Sequence, residues 1–444
     1  MSATRAGEHY TYRHVITAYL VTSGLFTLAA SLIWAVNTLF LLGAGLNIFQ
    51  AMVVNATFTA AQLVFEVPTG VVADTLGRKK SLLISIAVII VSTALYVATP
   101  RLGWGMTGFI AGSILLGLGF CFQTGASDAW LVDALDATGW EGPKDRVFAW
   151  GGMTFGAAML VGTLAGGFLG QVNLALPYVV RTVALLLSLV ATAVLMREVG
   201  FEPRPLVASR FGAETRTIFD QGMRYGVRNA AFRPLLAASL LGGVFQFYGF
   251  YAWQSYMLKL LGLNLVWLVG VVQAVSSLGG ILGNALVPWI RGDKRASKSS
   301  PVDPAPAILV WASVVLSVLI AGIGLVGAVS EGPGWGPVIV ASALWVLWGV
   351  GYGVQMPVYR AYSNSLIPSS QRATILSLDA LFADGGAAVG QPMLGAVAQR
   401  IGYPASWFAG AALVLLTAPL YAASGRARRA MGDPEAKTEP AGEA

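Results

Sequence analysis

The sequence predicts an all-α membrane protein, twelve transmembrane helices in two pseudo-symmetric six-helix bundles, on three observations. The 444 residues are 56% apolar and only 11% charged, whereas a soluble domain is about 45–50% apolar and about 25% charged. Too little charge is left to cover a soluble surface of this size, which excludes a soluble enzyme. Twelve apolar runs are long enough to cross a bilayer as helix, which takes about 20 residues. They are too long and continuous for barrel strands. The two halves of the chain also repeat each other weakly. The 53 glycines fit the same class, because Gly is commoner in membrane helices than in soluble ones.

In order, the spans of the first half fall at about 15–42, 48–73, 81–99, 104–135, 146–170 and 177–196. Those of the second fall at about 233–261, 265–290, 306–329, 337–361, 372–399 and 404–424. Residues 15–196 and 233–424 are therefore the two bundles. Residues 1–14 are polar and enter a full-length span without a small-residue cleavage site, so they read as a retained cytoplasmic tail. Residues 197–232 are an Arg-rich cytoplasmic linker, read as a solvated segment whose Arg residues touch anionic headgroups. Within it, Thr215 to Arg228 is a candidate surface helix. Residues 425–444, rich in Ala, Gly, Glu and Pro, are expected to be a disordered cytoplasmic tail.

Orientation follows from Lys and Arg. With the N-terminus inside, 24 of the 28 basic residues lie on inner segments, and the outer loops hold only Arg101, Lys259 and Arg400. The positive-inside rule then puts both termini in the cytoplasm of a cell with this chain in its inner membrane. The net charge of +7 reports a membrane face, not a nucleic-acid partner. Arg181, near the outer end of the sixth span, is expected to snorkel to the surface. The single cysteine, Cys121, precludes an intramolecular disulfide. The two histidines, His9 and His14, and the lack of any Cys/His cluster, catalytic triad or nucleotide loop leave no metal, no cofactor and no enzyme chemistry to expect.

The repeat is visible at the fifth and eleventh spans. Pro143-Lys144-Asp145-Arg146 opens one and Pro368-Ser369-Ser370-Gln371-Arg372 the other, with the two Arg 226 positions apart. Ala158, Gly162 and Gly167 match Gly386, Gly390 and Gly395, each 228 apart. Two weakly similar halves mark a secondary transporter, with its substrate site near the midplane.

The most specific segment is Gly70-Val-Val-Ala-Asp74-Thr-Leu-Gly77-Arg78-Lys79-Lys80, between the second and third spans. Gly77 permits a tight turn, Arg78 and Lys79 anchor the inner face, and Asp74 suits the positive end of a helix. The glycine spacing is too long for a phosphate-binding loop and no GK[ST] follows. The segment resembles the signature loop of the major facilitator superfamily, and the lead-in Glu66-Val-Pro68-Thr-Gly70 is similar to it as well. The resemblance implies that superfamily's fold and an inner latch in which Asp74 approaches Arg372 and Arg78 approaches Asp133. The latch breaks as the halves rock. The counterpart in the second half, Gly283 to Arg295, is degenerate. Ala158-x-x-x-Gly162-Thr163-x-x-Gly166-Gly167 is similar to the antiporter motif of drug exporters, with Ala158 in place of Gly and Thr163 in place of Pro. Gly162, Gly166, Gly167, Gly386 and Gly390 also fit plain small-x-x-x-small helix packing. As a whole the chain most resembles the bacterial drug:proton antiporters with twelve spans.

A carboxylate inside a span costs about 2.5–3.5 kcal/mol on insertion scales, so it faces a cavity or a partner. At about 1.5 Å per residue, Asp384 lies about 18 Å from the inner surface, Asp128 about 12 Å and Glu66 about 9 Å. These three are the candidate proton-coupling groups. Asp133 and Asp379 sit within two turns of the inner surface, where Asp133 suits the latch. The superfamily resemblance implies that the first, fourth, seventh and tenth spans line the cavity. They offer Trp34 and Asn37, Phe122 and Gln123, then Gln246, Tyr251, Trp253 and Gln254, then Trp348, Tyr352 and Gln355. Aromatic walls with a few amides and an acid suit amphipathic or cationic organic molecules, although lipid-facing aromatics look alike in sequence. The expected function is alternating-access, proton-coupled efflux of lipophilic or cationic compounds such as drugs, by a monomer among membrane lipids. A proton-coupled importer of a small polar solute and a lipid flippase are the alternatives.

Overall fold

A computed structural model describes residues 10–201, 223, 226–291, 303–368 and 372–431. Every regular element among them is a helix. These are α1 (Tyr12–Ser31), α2 (Asn37–Gly43), α3 (Ile48–Leu76), α4 (Arg78–Leu102), α5 (Gly105–Ala137), α6 (Lys144–Val172) and α7 (Leu176–Leu195). Then come α8 (Arg233–Leu261), α9 (Val266–Arg291), α10 (Ala305–Val329), α11 (Trp335–Ser365), α12 (Arg372–Arg400), α13 (Tyr403–Leu415) and α14 (Thr417–Met431). Eleven segments, counting α13 with α14 as one, are long and apolar enough to cross a membrane. The twelfth, α12, has 29 residues but carries Asp379, Asp384 and Gln391 in its middle.

Three expected boundaries move. The first span breaks at Leu32–Val36, between α1 and α2, with no proline there. Gly166 of α6 sits so close to the Leu32 carbonyl that a Cβ would collide with it. The Val36 N–H, which would bond that carbonyl in a continuous helix, bonds Ile33 instead at 3.1 Å. The N-terminal tail ends earlier than expected. Thr11 caps α1, its N–H donating to His14 Nδ1 at 3.2 Å, so residues 12–14 are helical. The last helix runs to Met431, seven residues past the expected end at 424. Ala and Arg favour helix there, and Arg428 ties it down through Asp303 at 2.6 Å and Ser365 at 3.0 Å. Most of the candidate helix Thr215 to Arg228, the beginning of the N-terminal tail and residues 432–444 lie outside the described residues.

The chain forms two compact units, Met1–Ala213 with Leu263–Ala274, and Glu214–Gly262 with Val275–Ala444. In the first unit, α4 and α5 are joined by three bonds from serine to backbone carbonyl: Ser81 to Phe122 (3.1 Å), Ser85 to Gly119 (2.7 Å) and Ser92 to Gly112 (2.7 Å). Hydroxyls have no water to turn to in hydrocarbon, so such pairing, or a bond to the carbonyl four residues back as at Thr93 and Thr192, is the rule. The α1–α6 seam is closed by Gly162, whose Cβ would meet Ser31 and the Leu28 carbonyl, and by Gly166. The second unit has the matching seam between α8 and α12. There Gly386 lies on the Leu240 carbonyl, Gly390 on Val244, and Gly243 on the Ala383 carbonyl. Val183, Leu187, Val190 and Val194 of α7 and Trp311, Val315 and Val318 of α10 are exposed apolar stripes, as a lipid-facing surface requires.

Candidate functional site

The signature segment closes into a tight structure at one end of the first unit. Gly77 takes φ +106° between α3 and α4, a left-handed value that favours glycine. Arg78 pairs with Asp74 one turn back at 2.6 Å and reaches Asp133 on α5 at 4.0 Å. Asp74 is thus the nearer partner, and Asp133 a secondary one. Sequence reasoning missed Glu198, just past α7. Its carboxylate accepts from the Arg78 N–H at 3.1 Å and the Lys79 N–H at 3.0 Å, satisfying free donors at the positive end of α4. Lys79 Nζ donates to the Ala193 carbonyl at 2.7 Å, and Trp130 Nε1 to the Arg197 carbonyl at 2.8 Å. Tyr10 donates to the Leu195 carbonyl at 2.8 Å. Burial raises its pKa against the opposing effect of Arg197, so it remains a donor. Gly70 has open space where a Cβ would stand, so packing does not require glycine there. Arg372, the other expected latch residue, is the exposed first residue of α12.

The first unit's candidates are dispersed. Asp128 is exposed and accepts from the Tyr19 hydroxyl at 3.2 Å. Glu66 is exposed on α3, two residues before Pro68. Gln123 lines a cavity of only about 10 Å³ with Thr22, Ser127 and Ser188. Phe122 is half-buried. Asn37 corrects its assignment to a cavity wall: it is buried, donating to Asn55 at 2.7 Å and accepting from Tyr178 at 2.8 Å. Trp34 packs half-buried against the same apolar cluster. Arg181 is corrected too. It is 2% exposed and does not snorkel, because it shares the inward stripe Tyr178, Leu185, Ser188, Thr192 of α7. Gly167 meets Gly270, both within the first unit.

The second unit holds a cavity of about 570 Å³ lined from α8, α10, α11, α12, α13 and α14. Gln246, Trp348, Tyr352, Gln355 and Asp384 of the expected residues all face it. Tyr251 does not, being half-buried edge-on to Phe250. Trp253 and Gln254 are corrected as wall residues, for they are 0% and 2% exposed and part of the packed interior. Trp253 instead begins a ladder of stacked rings, Trp253–Trp345–Trp348–Tyr352, with centroids 5.2, 4.7 and 5.2 Å apart. Residues 345, 348 and 352 share one face of α11, so the ladder ends in the cavity wall at Tyr352, whose hydroxyl bonds Gln246. Asp379, placed by the sequence within two turns of the inner surface, also lines the wall, where Arg360, Ser239 and Tyr359 are unforeseen. Ser239 donates to Asp379 Oδ1 at 2.6 Å, Tyr359 donates to the same oxygen at 2.7 Å, and the two hydroxyls are 2.7 Å apart. Two carboxylates, one guanidinium, three amides and an aromatic ladder suit an organic molecule with a ring and a charge. Among the described residues no group of three His, Cys, Asp or Glu is placed to hold a metal ion.

Helices of membrane length, small-residue seams repeated in both units and a polar pocket sunk among apolar helices define a polytopic membrane transporter. The sequence pattern described as Major Facilitator Superfamily matches residues 19–302, and the chain belongs to that superfamily. Among curated proteins no sequence matches. Solved structures do. The chain is similar to a POT family transporter in complex with 5-aminolevulinic acid, with 15% identity, 93% of this chain and 96% of that one covered, and a TM-score of 0.72. It is likewise similar to the peptide transporter POT in complex with sulfate, at 16% identity, 93% and 95% coverage and a TM-score of 0.72. A third is the nucleoside transporter NupG, at 14% identity, 94% and 98% coverage and a TM-score of 0.69. At such identities the likeness is one of fold.

Proposed function

We propose that this secondary transporter exports lipophilic or cationic aromatic compounds, such as drugs, in exchange for protons. The cavity of the second unit carries this reading. Its Trp348–Tyr352 wall offers stacking, Gln246 and Gln355 offer hydrogen bonds, and Asp384 offers a charge for a cation. Asp384 stands half-buried in that cavity, and together with Glu66 and Asp128 of the first unit it couples the two flows. Residues 15–196 and 233–424 act as the two rocking halves, joined by the linker 197–232, and the Asp74–Arg78–Asp133 group latches the inner side. Glycines 162, 166, 386 and 390 keep the two seams tight during the motion, and Gly167 does the same against Gly270. The protein works as a monomer in the inner membrane with both termini cytoplasmic, as its Lys and Arg distribution supports.

A second reading, proton-driven import of a small polar solute, is favoured by Thr163 where exporters carry Pro and by Arg360 in the cavity wall. Transport by the purified chain in proteoliposomes under an imposed pH gradient tests both. Uptake of an aromatic cation into liposomes with an acidic lumen, as protons leave, supports export by exchange, whereas uptake of a polar solute as protons enter supports import. Indifference of the wild type to the gradient would sink any proton-driven model.

A further inference from the structure

The cluster of Ser239 on α8, Tyr359 on α11 and Asp379 on α12 sits in the cavity wall with no role in the reading above. Its three oxygens form a nearly equilateral triangle, with sides of 2.6, 2.7 and 2.7 Å. Each side is a normal O–H···O separation, so each calls for one proton. A serine and a tyrosine bring one proton apiece. With Asp379 ionised there are two protons for three sides, and the serine and tyrosine oxygens face each other at 2.7 Å with both protons spent on the carboxylate. With Asp379 protonated on Oδ1 the count is three for three. Asp379 donates to one hydroxyl, that hydroxyl to the other, and the second back to Oδ1, closing a ring.

The same triangle is too small for a metal cation. Oxygen ligands stand about 2.3–2.6 Å from an ion the size of calcium, which spreads neighbouring ligands to about 3 Å or more. We infer that Ser239, Tyr359 and Asp379 form a proton-binding site opening on the second unit's cavity. The proton comes from cavity water, adds to Asp379 Oδ1 as one hydroxyl turns its own proton from that oxygen to the other hydroxyl, and leaves by the same route. The other charged or titratable groups around it are Tyr352 and Arg360 from α11, Asp384 from α12 and Tyr421 from α14. The walls contributed by α8, α10 and α13 hold no ionisable side chain. Use of this proton in coupling rests on the exchange of protons proposed above; its binding does not.

Infrared difference spectra of the full chain in lipid, acid minus alkaline and without substrate, test the site. The wild type should show a protonated-carboxyl band that is absent from Asp379→Asn and present in Asp384→Asn, in sodium and potassium buffers alike. The amide oxygen of the Asp379→Asn variant can still accept from Ser239 and Tyr359, so the local hydrogen bonds are kept. Should that variant fail to fold, Tyr359→Phe keeps the carboxyl and opens the ring, and the band should shift in frequency. A band that persists in Asp379→Asn, that vanishes in sodium, or that Tyr359→Phe leaves untouched overturns the site. A band behaving as expected in a protein whose transport ignores the pH gradient leaves the site standing and removes the coupled reading instead.

Discussion

The α1–α6 seam of the first unit and the α8–α12 seam of the second are built alike, yet what stands beside them differs. In both, glycines on the later helix press against backbone of the earlier one, Gly162 and Gly166 on Leu28 and Leu32, Gly386 and Gly390 on Leu240 and Val244. Near the first seam Gln123 borders about 10 Å³ of empty space, while beside the second lies a cavity of about 570 Å³ with two carboxylates in its wall. A repeated scaffold therefore carries unequal contents. Small residues fix how closely two helices approach, and the larger side chains on neighbouring faces decide whether space remains.

The sharpest way to break the likeness is to overfill each seam. Gly386→Leu and Gly166→Leu both push a side chain into facing backbone, which has no rotamer to yield, and each should cost about 3 kcal/mol or more. Loss of monodisperse protein in detergent reads this, and a seam that tolerates leucine is not a backbone contact. The contents differ next. Asp384→Asn and Tyr352→Ala should each weaken binding of an aromatic cation to the purified chain by about tenfold, the worth of one desolvated charge or ring contact. Gln123→Ala should leave that binding within about twofold. Equal losses would mean that the small cavity also holds the ligand.

The acids of the first unit give a smaller expected effect. Asp128→Asn and Glu66→Gln should reduce the dependence of transport on the pH gradient, and full wild-type dependence in both removes them from the coupling set. The signature segment is read on stability instead of transport. Glu198→Ala strips two N–H partners from the start of α4 and should cost about 1–2 kcal/mol, seen as an earlier thermal transition in detergent. Glu198→Gln, which keeps the oxygen but not the charge, should recover part of it.

Much of this architecture was legible because membrane helices announce themselves by length and by small residues at fixed spacing. Gly77 stands at a turn with φ +106°, and the paired glycines lie against facing helices. The break after Ser31 was hidden because residues 32–36, Leu-Ile-Trp-Ala-Val, hold no proline or glycine to announce it. Arg181 was misplaced by its distance from the helix end, although the stripe Tyr178, Leu185, Ser188 on the same face of α7 pointed inward. Of the proton site only Asp379, a carboxylate within a span, left a local signal. Its serine and tyrosine lie 140 and 20 positions from Asp379, and only the fold brings them together. Trp253 and Gln254 were drawn into the cavity by their neighbours in an aromatic-rich stretch, but a helix has an inner side as well as a cavity side, and they are on the former.

Glu198 also bears on where the chain is divisible. A reading from hydropathy alone ends the first bundle at residue 196, yet Arg197, Glu198 and Gly200 belong to it in every physical sense. The Arg197 carbonyl takes the Trp130 indole proton, Glu198 holds the start of α4, and a Cβ on Gly200 would strike the Asp133 carbonyl. Two fragments meant to reassemble when co-expressed should therefore be separated beyond residue 201. A cut at 196 would hand the partner fragment a piece of hardware that the first half needs in order to keep its own loop shut.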